Sequence, residues 1–379
     1  MNNQRLKILH VLPGGAYFGG TERYLYNYYQ HMDREAIHFD FVFGISNSMK
    51  IVREKEVFQD SVFLELCTIK EEGNGFSDWI AFTKSLRKLL RSKQYDIVEI
   101  QTASIFILFF SALGMIGTGV KKIAHTHSMH QKKGGIIGEV IFAIERWVIN
   151  HSYDSFFSCS KAAGVALYGE KTVQSSHFHV IPNAIDTKAF RFDKTRRKEI
   201  RAQCGIDDQT LIIGHVARLS AEKNQLFLID VFAEIKKKYE KAVLWIIGDG
   251  DYREQINAKI VQAELKDSIQ MFGQIEDIKQ YLHAMDAFII PSFREGLCIS
   301  AIESQANGIP TFVSDSIPEE CNISANFHCI SLQKCASDWA SEILKVIDNK
   351  PRKEGHALNT DYDIIDNSKS LQQIYIDMT

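Results

Sequence analysis

Short runs of β-branched, aliphatic and aromatic residues alternate with stretches of helical periodicity along nearly the whole chain. In the first half these runs are Leu6–Leu12, Phe39–Phe43, Asp96–Gln101, Lys122–His127, Ser155–Ser160 and His179–Pro182. In the second they are Leu211–Ala217, Val243–Ile247, Ile269–Phe272, Ala287–Pro291, Pro310–Ser314 and His328–Leu332. Most of them are apolar almost throughout, the pattern of strands covered on both faces, and the helical stretches between them supply the crossovers that parallel strands need. The pattern therefore predicts an α/β fold with two doubly wound parallel sheets. The segment 186–205 is rich in Lys and Arg and has no clear strand, so it reads as the linker and first helix of the second domain. The expected division is 1–187, 188–363 and a final helix over 364–379 placed to cross back to the first domain.

A length of 379 residues supports the same division, since it exceeds one ordinary core and suits two domains of roughly 150 to 200 residues. Hydrophobic residues at 45% and charged residues at 24%, without Pro-, Gly- or Ser-rich tracts, place the chain among folded globular proteins. Residues 103–120 carry no charge and raise the question of a membrane span. Ser111, Gly114, Gly117 and Thr118 interrupt the run, and its place between two strand-like segments predicts a buried covering helix instead.

The net charge of −3 speaks against general nucleic-acid binding. The first half is nevertheless mildly basic, and the amphipathic stretch Lys84–Lys93 could meet anionic lipid headgroups, though an ordinary solvated helix face is the plainer reading. Seven cysteines at 67, 159, 204, 298, 321, 329 and 335 are scattered, without a C-x-x-C pair. That usage fits reduced thiols in the cytoplasm better than a disulfide framework or a zinc site. Residues 1–7 run straight into a strand, unlike a secretory signal.

Candidate chemistry sits where strands end, the place at which open α/β sheets bind ligands. Arg294-Glu295-Gly296-Leu297-Cys298-Ile299-Ser300-Ala301-Ile302-Glu303 follows an apolar strand. A helix starting near Leu297 would offer the amides of Gly296, Leu297 and Cys298 to an anion and place Glu303 about 9 Å down its axis. Carboxylates accept hydrogen bonds from diols and repel phosphate, so the arrangement suits a sugar nucleotide. The plainer alternative is a helix with acidic residues in its first turns, favoured by the macrodipole. Arg218 and Lys223 emerge five residues apart at another strand end, where two fixed cations can neutralise a leaving diphosphate without a metal.

Gly248-Asp249-Gly250-Asp251 closes the next strand, its glycines permitting a sharp turn and close approach of a ligand. Asp249-x-Asp251 and Asp361-x-Asp363 match a metal-type triplet only by letter, and neither is assigned a metal. Near the start, Pro13-Gly14-Gly15 leads to Gly19-Gly20-Thr21-Glu22, a Gly-rich loop between strand and helix whose spacing differs from the dinucleotide fingerprint G-x-G-x-x-G. His125 and His127 share one side of a strand. They allow a zinc pair with His130 nearby, a structural pair, or a histidine aimed at sugar hydroxyls.

Together these residues resemble retaining glycosyltransferases of family 4, with the GT-B fold of two Rossmann-like domains facing across a cleft. The match covers nearly the whole chain, and the similarity is to bacterial capsular and exopolysaccharide enzymes. Its elements are Gly19-Gly20-Thr21-Glu22, His127, Ile181-Pro182-Asn183-Ala184-Ile185-Asp186, Arg218 with Lys223, Gly248-Asp249-Gly250, and Glu295 with Glu303 at E-x7-E spacing. The resemblance implies that Arg218 and Lys223 hold the donor diphosphate, Glu303 accepts from the ribose hydroxyls, and Glu295 and His127 lie by the reacting sugar. It implies donor contacts from Gly20, Gly248, Gly250, Gln274, Gly296, Leu297 and Cys298, with Gly19, His125 and Asn183 nearby. It further implies a UDP-linked sugar as donor, a glycan or lipid-linked acceptor, no cofactor or metal, and a cytoplasmic enzyme at the inner face of the membrane. Ala217 stands where a glycine often precedes the arginine, and Cys298-Ile299-Ser300 replaces a proline-containing run; both bear on which donor sugar is accepted. Two rival readings are a sugar-nucleotide 2-epimerase, which turns over donor without acceptor, and a non-catalytic sugar-nucleotide-binding subunit.

Overall fold

The computed structural model describes residues 5–12, 20–43, 56–66, 76–127, 136–275, 277–295, 297–349 and 360–379. The chain divides into two compact units, Met1–Ile185 with Tyr362–Thr379, and Asp186–Asp361.

The first unit holds a parallel sheet of β1 (Leu6–Leu12), β2 (Ile37–Phe43), β3 (Phe63–Glu65), β4 (Ile97–Gln101), β5 (Lys121–Thr126), β6 (Ser155–Ser158) and β7 (Phe178–Val180). Their order is β3-β2-β1-β4-β5-β6-β7, so the winding direction reverses between β1 and β4. β4 is buried at all five positions, its polar residues Glu99 and Gln101 included. The uncharged stretch after it forms the helix Ile105–Met115, capped by Ser104, whose side chain accepts from the Ile107 amide at 3.5 Å. Eleven residues reach only about 16 Å, half a bilayer core. Among the described residues no helix is long and apolar enough to cross a membrane.

The C-terminal helix, Ile364–Asp377, is part of this first unit. Asp363 caps it by accepting from the Ile365 amide at 3.0 Å, and the amide of Ile364 donates to Ile185 O at 3.0 Å. Ile364, Leu371 and Tyr375 join a core that includes Ile8, Leu12, Tyr24 and Tyr28. At about 1.5–3 kcal/mol for each fully buried large apolar side chain, that burial outweighs what two end hydrogen bonds contribute.

The second unit holds β8 (Ile212–Val216), β9 (Val243–Ile247), β10 (Ile269–Gly273), β11 (Ala287–Ile290), β12 (Thr311–Ser314) and β13 (Phe327–Ile330). The sheet is again parallel, ordered β10-β9-β8-β11-β12-β13, and reverses between β8 and β11. The helix Gln225–Lys238 covers one face and buries Leu228, Ile229, Val231, Phe232 and Ile235. Trp339, fully buried on the helix Ala336–Asn349, joins the same core. Arg201, on the helix Lys194–Gln203, is also buried, and it is held by Asp286 at 2.7 Å and by the carbonyls of Ala284, Asp207 and Thr210.

Candidate functional site

In the second unit, polar residues gather at the carboxyl ends of the two strands that flank the reversal. After β8 the chain makes a short 3-10 turn, Ala221–Lys223, and Asn224 adopts a left-handed conformation at φ 55° before the helix Gln225–Lys238 begins. The Asn224 side chain donates to Pro291 O at 3.0 Å, tying this turn to the end of β11. Gln225, fully buried, donates to Arg218 O at 2.9 Å and lies 3.4 Å from His215 Nε2. His215 Nδ1 in turn donates to Ile289 O at 2.8 Å. Burial pushes His215 down to about 4, which keeps the ring neutral and suited to these roles.

The turn delivers Lys223 to Glu295. Its Nζ lies 2.7 and 2.6 Å from the two carboxylate oxygens, with the side chains 21% and 10% exposed. Ser292, itself buried, donates to Glu295 Oε1 at 2.9 Å. The carbonyl of Ser292 accepts from Ser314 Oγ at 2.5 Å and Ser316 Oγ at 2.8 Å, which fixes the turn that carries the glutamate. Arg218 takes another course: its side chain is 68% exposed and meets Asp251 at 3.3 Å. Asp249 pairs with Arg253 at 2.9 Å. Both carboxylates of the Asp249-x-Asp251 triplet thus face arginines, while Asp363 of the other triplet is the helix cap described above. Among the described residues no group of three or more His, Cys, Asp and Glu side chains is placed to hold a metal ion.

The helix expected near Leu297 begins two residues later, at Ile299, with Cys298 at the cap position. Leu297 and Cys298 are buried, and the Cys298 amide points at Cys321 Sγ, 3.3 Å away. That amide, expected to face an anion, donates to the Cys321 sulfur in this structure. Burial, with Glu295 beside it, pushes the Cys298 thiol up to about 12, so it stays protonated. Glu303 is buried on this eight-residue helix.

Gly248 and Gly250 are required by the chain's own packing. A Cβ at Gly248 would lie 1.9 Å from Ala217 O and one at Gly250 2.3 Å from Leu219 O, with φ at +136° and +158°. The close approach expected of a ligand is made here by the β8 loop, whose Leu219 amide donates to Asp249 O at 3.0 Å. Gln274 is exposed, one residue beyond the edge strand β10. Gly19, Gly296 and His130 lie outside the described residues, while Gly20 opens the helix Gly20–His31.

In the first unit a second polar group is buried at the carboxyl side of β4 and β5. His125 is fully buried and its Nδ1 meets Glu99 Oε1 at 2.6 Å. His127 lies one residue beyond β5, partly exposed, stacked on His125 with ring centroids 4.1 Å apart. It contacts Gln101 Oε1 at 2.5 Å through Nε2 and Asn183 Oδ1 at 3.3 Å through Nδ1. Tyr28 Oη donates to Pro182 O at 2.6 Å and Asn27 to Ala184 O at 3.2 Å, which seats the segment holding Asn183. Burial lowers His10 to about 4 and His125 to about 3, and burial followed by the neighbouring His125 lowers His127 as well. Sequence reasoning missed Glu99, Gln101 and Tyr375 here and Gln225 and Ser292 in the second unit. For Glu99 and Gln101 a signal exists, polar residues at alternate positions of an otherwise apolar strand.

A domain model described as Glycosyltransferase Family 4 matches residues 18–189, and one described as Glycosyl transferases group 1 matches residues 196–361. EpsF of Bacillus subtilis (strain 168) is 28% identical over 361 residues, covering 93% of this chain and 91% of its own. The UDP-Gal:alpha-D-GlcNAc-diphosphoundecaprenol alpha-1,3-galactosyltransferase of Escherichia coli is 25% identical over 316 residues, 78% of each chain. Among solved structures, Anabaena Alr3699/HepE in complex with UDP and glucose superposes with a TM-score of 0.73 at 17% identity, covering 99% of this chain and 97% of its own. The lipopolysaccharide-biosynthesis glycosyltransferase WaaG gives a TM-score of 0.65 at 12% identity, over 97% and 95% of the two chains. Two parallel-sheet units, each reversing its winding direction within the sheet, together with these neighbours define a GT-B fold. The chain belongs to the family 4 glycosyltransferases, and it is an enzyme of that class.

Proposed function

We propose that the protein is a retaining glycosyltransferase that moves a sugar from a UDP-linked donor to a polysaccharide or lipid-linked glycan acceptor in capsule or exopolysaccharide biosynthesis. The observation that carries this reading is the Lys223–Glu295 pair, held at the reversal point of the second sheet by Asn224 and Ser292. A cation and a carboxylate fixed side by side suit a ligand with a diphosphate next to a ring of hydroxyls. Lys223, with Arg218 close in sequence and largely exposed, would neutralise the charge that grows on the leaving diphosphate, and Glu295 would accept from sugar hydroxyls. Glu303 is the candidate for the ribose hydroxyls, and His127 lies beside the reacting sugar. With an oxygen of the departing phosphate taking the acceptor's proton, no strong protein base and no metal is required, and the protein's part is positioning and charge stabilisation. HepE in complex with UDP and glucose, and a galactosyltransferase named for UDP-Gal and a diphosphoundecaprenol acceptor, support the donor and acceptor classes.

The test is a thermal-shift screen over UDP-, GDP- and dTDP-linked sugars, followed by transfer from the best binder to polyprenyl-diphosphate glycans, with and without EDTA. A UDP-sugar should stabilise the protein most, and transfer should persist in chelator with the anomeric configuration kept. Consumption of donor alone to an epimer would identify an epimerase, binding without turnover a sensor, and loss of activity in EDTA would overturn the metal-free mechanism.

A further inference from the structure

Glu99 is a carboxylate with no exposed surface in the middle of β4, and nothing in the proposed reaction uses it. Its two oxygens are fully engaged. Oε1 accepts from His125 Nδ1 at 2.6 Å and from Gln101 Nε2 at 2.7 Å, and Oε2 accepts from Tyr375 Oη of the C-terminal helix at 2.5 Å. A buried carboxylate that kept fewer donors would cost several kcal/mol, so this set is a built arrangement. Its consequence runs through Gln101. Because Glu99 can only accept, the amide of Gln101 must turn its NH2 toward it, and its carbonyl oxygen then faces His127 Nε2 at 2.5 Å. The same NH2 lies 3.2 Å from His10 Nδ1, which fixes that ring as an acceptor on this edge.

We infer that Glu99 and Gln101 are positioning residues that hold His127 in the tautomer with its proton on Nε2 and leave Nδ1 as the accepting atom. A single imidazole nitrogen takes the proton according to the hydrogen bond its partner edge makes, and here that edge is dictated two residues away in sequence by a buried charge. The atom that faces Nδ1 is Asn183 Oδ1 at 3.3 Å, an oxygen that gives no hydrogen bond to an unprotonated nitrogen, so in this tautomer Nδ1 is left for a donor such as a sugar hydroxyl. The groups facing this ring or the carboxylate that can titrate are His10, His125, Tyr24 and Tyr375. Burial disfavours the charged form of each, so Glu99 is the one charge beside these neutral groups and the tautomer of His127 is set through Gln101. The part of the inference that concerns the reaction rests on the reading of His127 beside the reacting sugar; the tautomer itself does not.

The experiment records long-range 1H–15N spectra of the full-length protein labelled at histidine, with the His127 ring assigned by its loss in His127→Ala. The wild type should show a neutral ring protonated at Nε2. Gln101→Met, close in shape but without either amide bond, should shift His127 toward a mixture of tautomers and leave UDP-induced thermal stabilisation unchanged. Its transfer rate, with the UDP-sugar that stabilises best in the screen, should fall about tenfold. Glu99→Gln should do the same by freeing the Gln101 amide to turn, and where it does not fold, Gln101→Met decides alone. A wild-type ring protonated at Nδ1, or a Gln101→Met spectrum identical to wild type, would overturn the inference. If the tautomer responds as stated but His127→Ala transfers sugar at the wild-type rate, the wiring stands and the placement of His127 beside the sugar falls.

Discussion

Replacing Lys223 by Met removes the ammonium and keeps most of the aliphatic stem, so it isolates the charge that faces Glu295. At an effective dielectric of about 20, two unit charges about 3 Å apart attract by about 5 kcal/mol before solvation is counted. Breaking a buried pair from one side typically costs 3–5 kcal/mol. Here Lys223 is 21% exposed, and Glu295 keeps its bond from Ser292, so water and that hydroxyl recover part of the loss. A destabilisation of about 2–3 kcal/mol remains, which for a unit of this size lowers Tm by roughly 4–12 °C. The double variant Lys223→Met with Glu295→Gln should recover at least half of that fall, because the orphaned carboxylate is gone. The ligand effect is separate. UDP at tenfold above its wild-type Kd stabilises by about 1.4 kcal/mol. Losing a charge-assisted contact of about 2–3 kcal/mol weakens UDP enough to leave less than about 0.2 kcal/mol of that. Thermal unfolding of the three proteins with and without UDP reads both quantities. An undiminished UDP shift in Lys223→Met would remove Lys223 from the diphosphate site, and a double variant as unstable as the single one would show that the pair is not what holds this turn.

Other consequences follow from the same geometry. Gly248→Ala places a Cβ 1.9 Å from Ala217 O at a φ of +136°, so it should destabilise the second unit by about 3 kcal/mol or more, and urea unfolding of wild-type stability would contradict the close approach of the two loops. Folded His10 and His215 sit at about 4 and His125 at about 3, against about 6.5 unfolded, so the unfolded chain takes up protons below pH 6.5 that the native rings refuse. These groups cost nothing above pH 6.5, and stability should fall by about 1.4 kcal/mol per pH unit per histidine on going down toward 4, more steeply for the first unit, where His127 is lowered along with His10 and His125. Urea midpoints that do not move between about pH 7 and 5 would show that these rings ionise freely. On the helix Phe76–Ser92, Lys84, Lys88 and Arg91 are not needed for packing, whereas Arg87 is turned onto the carbonyls of Leu113 and Gly114. Any attraction to anionic liposomes should therefore weaken with salt and with Lys84, Lys88 and Arg91 replaced together, and absence of binding even at low salt would remove membrane contact from the proposal.

Interior strands were legible because parallel sheets bury both faces and leave continuous apolar runs; Val243–Ile247 needs no other signal. The edge strand Phe63–Glu65 was missed, since three residues are too few to show a period and its register comes from pairing with β2. The charged residues of E-x7-E spacing were visible as local exceptions to packing. The true start of their helix was not, because Cys298 is held out of it by a sulfur 23 residues further on. Glu99 was overlooked for the same reason at greater range: the residues that make its burial tolerable are 26 positions away at His125 and 276 away at Tyr375.

These long-range partners share a location, and the sheet order explains it. Where the strand sequence reverses, between β1 and β4 in one unit and β8 and β11 in the other, the covering helices depart in opposite directions and leave the strand ends uncovered. Polar side chains can be placed there without breaking a packed layer. His10, Glu99 and Gln101 occupy the strands flanking the first reversal, and Lys223, Ser292 and Glu295 follow the strands flanking the second. The first set is enclosed, with neutral rings around one carboxylate whose oxygens are all engaged, and its outlet is the partly exposed His127. The second is an ion pair still partly open to water, able to trade its internal contact for a ligand's diphosphate and hydroxyls. In the proposed reaction the same topological gap would support orientation in one unit and exchangeable charge in the other, the two contributions that transfer from a nucleotide sugar requires.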